Sequence, residues 1–289
     1  MNTLKLKQML ENFFIEDIGE QDLTSDSIFE SNKSGEVQFT AKQAGILSGV
    51  SIIETGYTLL DDTVEVTRLK KDGDPVSSGD TIAVAGGPLS SLLKGERVIL
   101  NLLQRMSGIA TLTNTAVRTL NSRHTRICDT RKTTPGLRML EKYAVRTGGG
   151  FNHRSGLYDA VMIKDNHIAL SGSITQAVHL VKAKLGHMVK IEVETETKEQ
   201  VLEAIDNNVD CIMFDNRSVE ETKELVKLVP PSILTEASGG ITIDQLASYS
   251  DSGVDYISLG YLTHSVPALD ISVQVYAHQN KGGRSVELI

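Results

Sequence analysis

Six short apolar runs, rich in β-branched residues, fill the second half of this chain, and each stops at a polar or charged cluster or a glycine pair. Arg126–Asp129 ends in Asp129-Thr130-Arg131-Lys132, and Ala160–Ile163 ends in Lys164-Asp165-Asn166-His167. Val189–Val193 ends in Glu194, and Asp210–Phe214 ends in Asp215-Asn216. Ile233–Thr235 ends in Glu236-Ala237-Ser238-Gly239-Gly240, and Val254–Ile257 in Ser258-Leu259-Gly260. Short, continuous apolar runs separated by helical stretches read as parallel strands buried on both faces. The helical stretches are Leu137–Arg146, Ile174–Leu185, Lys198–Asn207, Val219–Leu228 and Ile243–Tyr249. These units fall short of eight, so the expectation is an α/β barrel that is incomplete. Ligands of such barrels bind at the C-terminal strand ends, where this chain puts its cations and carboxylates.

The first half has a different pattern. Leu4, Met9, Leu10, Phe13 and Phe14 lie at helical spacing, and Asp17-Ile18-Gly19 breaks that helix. From Gly35 to Gly87 short alternating strands dominate, with turns at Asp72-Gly73 and Ser78-Gly79. Taken alone, Lys71–Ala83 resembles the half-barrel of a lipoyl or biotinyl carrier. Lys70-Lys71 precedes the turn rather than occupying its tip, which is not the usual carrier placement. A long helix is expected over Pro88 to about Ser122, divided or kinked at Ser107-Gly108, bridging two domains. The expected division is an N-terminal α/β sandwich over 1–107, with 271–289 returning to it, and a barrel over 108–270. The tail around Asn280-Lys281-Gly282-Gly283-Arg284 is expected to fray.

Composition excludes several classes. A net charge of −8 argues against general nucleic-acid binding, but leaves room for a local cationic pocket. The two cysteines, Cys128 and Cys211, fall inside expected strands and fit a reducing compartment. Met1–Lys7 runs into an amphipathic helix rather than an apolar signal, and no apolar run reaches membrane-spanning length. The expectation is a cytoplasmic protein.

Four groups of residues carry chemistry. Adjacent Arg131 and Lys132, with Thr130 before them, pair a planar fork with a point charge, which suits a carboxylate beside a phosphate; a solvated surface pair is the bland alternative. His153 and Arg154 follow three glycines, so two donors share one adaptable loop. Lys164 ends a core strand and reads either as a Schiff-base lysine or as an anion contact; His167 reads as structural. Glu194 and Asp215 close consecutive strands and suit acid–base work, ribose hydroxyls or a Mg²⁺ shared with phosphates. Glu192, Glu196 and Glu199 read as strand or helix faces. Ser238-Gly239-Gly240 and Ser258-Leu259-Gly260 are small-residue loops fit to grip a phosphate. No His and Cys ligands stand at zinc spacing.

Cys128–Arg138, Gly148–Arg154 and Met162–His167 closely resemble the quinolinate phosphoribosyltransferase family. The likeness continues through Glu16–Gly19, Gly95–Arg97, Ser107–Thr111, Glu192–Glu194, Phe214–Asn216, Glu236–Gly240 and Thr263–Ser265. The resemblance implies a type II phosphoribosyltransferase fold, an α/β sandwich plus an open, TIM-like α/β barrel. It implies transfer of phosphoribosyl from phosphoribosyl pyrophosphate to quinolinate, giving nicotinate mononucleotide, CO₂ and pyrophosphate, with Mg²⁺ held by the pyrophosphate and Glu194 and Asp215 nearby. It implies a homodimer in which Arg97 is lent to the neighbouring subunit's site. Arg131, His153, Arg154 and Lys164 match the quinolinate pocket. Lys132, Glu194, Asp215 and the loops at Ser238, Gly239, Gly240, Ser258, Leu259 and Gly260 match the phosphoribosyl site.

Overall fold

The computed structural model describes residues 1–29, 33–277 and 286–288. The tail around Asn280 to Arg284 lies outside the described residues. The chain divides into two compact units. The first contains Met1–Leu112, Met139–Gly148 and the described residues from Val266 on; the second contains Thr113–Arg138 and Gly149–Ser265.

The first unit begins with helix α1 (Thr3–Ile18), whose buried residues Leu6, Met9, Leu10 and Phe14 recur at helical spacing. The Asn2 side chain accepts the Lys5 N–H to cap its start, and Gly19 closes it at φ 59°. Leu4, expected on the apolar face, is exposed. After the short α2 (Ser25–Ile28) comes strand β1 (Ser34–Ala41), then β2 (Gly45–Ile46). Helix α3 (Ser51–Leu60) interrupts a stretch expected to be strands throughout. Its Ile52-Ile53 pair and its threonines favour strand locally, but packing against the next long helix decides otherwise. Gly56 lies against Ile99, and Gly95 lets the Tyr57 ring approach, whose hydroxyl donates to the Leu92 carbonyl at 3.2 Å.

Strands β3 (Glu65–Arg68), β4 (Pro75–Val76) and β5 (Thr81–Pro88) follow. Gly73 (φ 90°) and Gly79 (φ 94°) make the two expected turns. β5 pairs antiparallel with both β1 and β3 in a larger open sheet, while β4 pairs with β2 in a separate two-stranded ladder, so Lys71–Ala83 does not form a carrier half-barrel. Helix α4 (Leu89–Leu120) is one continuous element. Ser107-Gly108 does not divide it. Ser107 exchanges hydrogen bonds with Ser48, and a Cβ at Gly108 would run into the Pro267 carbonyl. The pair serves close packing rather than bending.

The second unit contains six parallel strands. They are β6 (Arg126–Cys128), β7 (Val161–Ile163), β8 (Ile191–Thr195), β9 (Cys211–Asp215), β10 (Leu234–Ser238) and β11 (Tyr256–Ser258). Their order is β6-β11-β10-β9-β8-β7, so the sheet is open between β7 and β6. All six expected strands are present. Between them lie α5 (Arg138–Thr147), α6 (Asp165–Ser171), α7 (Ile174–Lys182), α8 (Lys198–Asp206), α9 (Val219–Val226) and α10 (Tyr261–His264). From Met139 on, α5 belongs to the first unit. Ile243–Tyr249, expected as an α-helix, is a 3₁₀ helix, the tighter form common in short connectors. Capping boxes at Thr197/Gln200 and Ser218/Glu221 start α8 and α9.

Finally β12 (Ile271–Ala277) pairs antiparallel with β1 and with β13 (Val286–Leu288), completing the first unit's five-stranded sheet. No helix among the described residues is long and apolar enough to cross a membrane.

Candidate functional site

Strand periodicity decides which side chains face the barrel interior. Register pairs Glu192 with Cys211, Glu194 with Met213, Met213 with Glu236, and Asp215 with Ser238, so these residues share one face of the sheet. Above them, at the C-terminal strand ends, opens a cavity of about 850 Å³. Its wall brings together Thr130, Arg131, Lys132, His153, Arg154 and Lys164 with Glu194, Asp215 and both glycine loops. Arg97 lies in the first unit, with a 60% exposed side chain and Glu96 at 3.8 Å.

The cationic wall has two neighbouring guanidinium groups. Arg154 is tethered by one nitrogen, Nη1, to the Ala160 carbonyl at 2.9 Å. Burial, and then the like charge of Arg131, press its guanidinium below the usual arginine range. The Nε atoms of Arg131 and Arg154 are both buried without a hydrogen-bond partner. Buried donors of this kind are normally satisfied, and exceptions point to a missing ligand. Lys164, at the start of α6, forms an ion pair of 2.6 Å with Glu194. His167 accepts the Lys164 backbone N–H at 3.0 Å, a structural role as expected.

The acidic wall is Glu194 with Asp215. Burial, and then the Glu194 carboxylate, raise Asp215 above the ordinary aspartate range. Asn216, at φ 52°, donates through Nδ2 to Asp215 Oδ2 at 2.6 Å. Its backbone N–H donates to the Ser238 carbonyl at 2.9 Å. Gly239 (φ 93°) and Gly240 (φ 64°) carry the chain over it. A Cβ on Gly239 would stand 2.8 Å from the Asn216 backbone nitrogen, so only glycine fits. Gly260 makes similar room for the Lys132 stem, 2.9 Å from where its own Cβ would sit. The Leu259 N–H donates to the Cys128 carbonyl and its side chain is buried, so Leu259 anchors this loop.

Residues 109–274 match the family model for the quinolinate phosphoribosyl transferase C-terminal domain, and residues 22–107 match that for its N-terminal domain. The chain belongs to the quinolinate phosphoribosyltransferase family. It is 57% identical over 275 residues to the probable nicotinate-nucleotide pyrophosphorylase [carboxylating] of Bacillus subtilis (strain 168), covering 95% of each chain. It is 43% identical over 269 residues to the protein of the same description from Synechocystis sp., covering 92% of this chain and 91% of that one. The crystal structure of NadC from Streptococcus pyogenes superposes with a TM-score of 0.92 at 37% identity, over 100% of this chain and 99% of that one.

Within this family member three buried carboxylates, Asp129, Glu192 and Glu236, lie under the cationic wall, and none of them carries an assigned role from sequence. Asp129 accepts the His153 backbone N–H at 2.9 Å and the Asn152 Nδ2 at 2.6 Å. His153 Nδ1 accepts the Arg154 N–H at 2.8 Å, which puts the imidazole proton on Nε2. Nε2 lies 2.8 Å from Glu192 and 3.6 Å from Glu236. Glu192 and Glu236, taken as a strand face and a strand-end residue, are both buried. Burial above all, then Glu192, push Glu236 up to about 8, against the opposing pull of His153. The ligand atoms of His153, Glu192 and Glu236 lie within 4.8 Å of one another. A cation there would need the Nε2 lone pair, and that nitrogen bears the proton, so the trio suits a proton better than a metal. Sequence carried a signal for both acids: Glu192 has the parity of Glu194, and Glu236 that of Ser238.

Proposed function

We infer that this chain transfers phosphoribosyl from phosphoribosyl pyrophosphate to quinolinate, with decarboxylation, giving nicotinate mononucleotide, CO₂ and pyrophosphate for de novo NAD biosynthesis. The observation that carries the reading is the pair of adjacent guanidinium groups whose Nε atoms are buried and unpartnered. Two like charges are held together in a cavity wall only if a partner repays their desolvation. A dianion with two neighbouring carboxylates is such a partner.

The residues divide the work as follows. Arg131 and Arg154, with Lys164, bind the two acid groups and aim the ring nitrogen at the sugar. His153 supports Arg154 through its backbone. Lys164, an ammonium in an ion pair, acts as an anion contact and forms no Schiff base; trapping substrate on it with borohydride would overturn this. Lys132 and the loops at Ser238-Gly239-Gly240 and Ser258-Leu259-Gly260 hold the phosphates. Glu194 and Asp215 face the ribose, and their charge stabilises the oxocarbenium-like state, an effect worth roughly 3–4 kcal/mol for a single well-placed group. The hard carboxylate oxygens of Glu194 and Asp215 would suit a Mg²⁺ bound with the pyrophosphate, and such an ion would supply positive charge to offset that of the leaving group.

The proposed assembly is a homodimer in which the exposed Arg97 reaches the neighbouring subunit's site. Cys128 and Cys211 are thiols rather than a disulfide, which supports a cytoplasmic setting. Mixing the protein with Mg²⁺, quinolinate and phosphoribosyl pyrophosphate should yield CO₂ and nicotinate mononucleotide. Turnover of nicotinate as readily as quinolinate would replace this reading with a monocarboxylate transferase.

A further inference from the structure

We propose that the side chain of Glu236 is the general acid that protonates the ring carbon vacated by CO₂. The inference rests on the function proposed above and goes one step further into it. When the ring carboxylate leaves, its bonding electron pair stays on carbon, and the reaction ends only when that carbon gains a proton.

The cavity wall offers few sources. The guanidinium groups of Arg131 and Arg154 hold their protons too tightly. The ammonium of Lys164 is engaged by Glu194 at 2.6 Å. The His153 Nε2 proton points at Glu192 at 2.8 Å. Tyr261 is a weak acid, pushed up to about 12, and belongs to the wall beside Gly260.

Glu236 is placed differently. It sits in the middle of β10, 3% exposed, and still lines the substrate cavity. Its Oε1 is buried without a hydrogen-bond partner. Every neighbouring element faces it with a group that gives it no full counter-charge. β8 brings Glu192, whose carboxylate accepts from His153 Nε2–H at 2.8 Å. β6 brings the Cys128 thiol, 4.0 Å from Oε2, and Asp129 follows that strand. β9 brings Cys211, whose own thiol is raised by burial and by the nearby acids. β11 brings Ser258, whose hydroxyl donates to Ser238 and also pulls the Glu236 carboxyl down, a smaller effect than burial and Glu192. His153 stands 3.6 Å from Oε2, committed elsewhere. A carboxyl group so surrounded keeps its proton near neutral pH, the state a general acid requires.

The step balances. The bond from ring carbon to carboxylate breaks and CO₂ departs. In the same step the bonding electron pair takes the Glu236 proton, forming C–H and leaving Glu236 as a carboxylate, so CO₂ leaves only as fast as the proton is delivered. Solvent entering the cavity restores the proton between turnovers.

The test is rapid-quench analysis with quinolinate labelled in the departing carboxylate, reading pyrophosphate and CO₂ separately. In Glu236→Gln, first-turnover pyrophosphate should form at near the wild-type rate. CO₂ release should slow by about 10²–10⁴-fold, with quinolinate mononucleotide accumulating. Glu236→Asp should recover part of that loss. In the wild-type protein, which needs no variant to fold, the rate of CO₂ release should fall as pH rises through about 8. A wild-type rate that stays flat across that range overturns the proposal. So does CO₂ release in Glu236→Gln that keeps pace with pyrophosphate. An equal slowing of both products, with a raised KM for quinolinate, also overturns it in favour of a purely structural role. Absence of quinolinate-dependent pyrophosphate from the wild-type protein overturns the functional reading itself, and this inference with it.

Discussion

Gly239→Ala separates two costs that the structure assigns to one loop. Gly239 has φ 93°, where an alanine is strained, by about 1–2 kcal/mol. Its Cβ would also stand 2.8 Å from the Asn216 backbone nitrogen, and backbone cannot step aside as a side-chain tip can. Forcing that shift should add about 1–3 kcal/mol, for a total of roughly 2–5 kcal/mol. Gly240 provides the control. It has φ 64° but nothing within 4 Å of its Cβ position, so Gly240→Ala should show the backbone cost alone. Urea unfolding should therefore rank Gly239→Ala well below Gly240→Ala, with a drop in Tm of roughly 2–4 °C per kcal/mol. Because Asn216 both bonds to Ser238 and orients Asp215, the same shift should lower kcat and raise the KM for phosphoribosyl pyrophosphate. Equal stability losses in the two variants would refute the close-approach argument.

Arg154→Lys keeps the charge but loses the planar fork; KM for quinolinate should rise about 10–100-fold, with that for phosphoribosyl pyrophosphate unchanged in steady-state assays. Asp215 is raised by burial and by Glu194, so its negative charge is present above that raised pKa and lost as pH falls through it. The acid limb of the kcat profile should accordingly lie above the ordinary aspartate range, and Asp215→Asn should remove the limb while lowering kcat by about 10²–10³-fold. Thr197→Ala deletes the capping box of α8, far in sequence from the phosphate loops. It should cost about 1 kcal/mol by urea denaturation and leave both KM values alone.

The barrel was legible because buried parallel strands write themselves as apolar runs, and because a polar residue at a strand end has few reasons to be there other than a ligand. Lys164, Glu194 and Asp215 were readable on that ground, and the cavity holds all three. Helix α3 was not readable: Ile52-Ile53, Thr55 and Thr58 favour strand, and its helical state depends on Gly56 and Tyr57 meeting the distant Ile99, Gly95 and Leu92. Ser107-Gly108 misled for the same reason, since a glycine required by the Pro267 carbonyl looks in sequence like one that loosens a helix. Glu192 and Glu236 were within reach through strand parity. Glu192 reads as a strand face because an acid inside a strand is usually solvated, Glu236 reads only as part of a strand-end cluster, and their partner His153 arrives from a different loop.

The most direct test is a crystal structure of the protein with quinolinate bound. The two acid groups should lie within about 2.7–3.2 Å of the Nε atoms of Arg131 and Arg154. Acid groups that settle on the glycine loops, with both Nε atoms still without a partner, would contradict it.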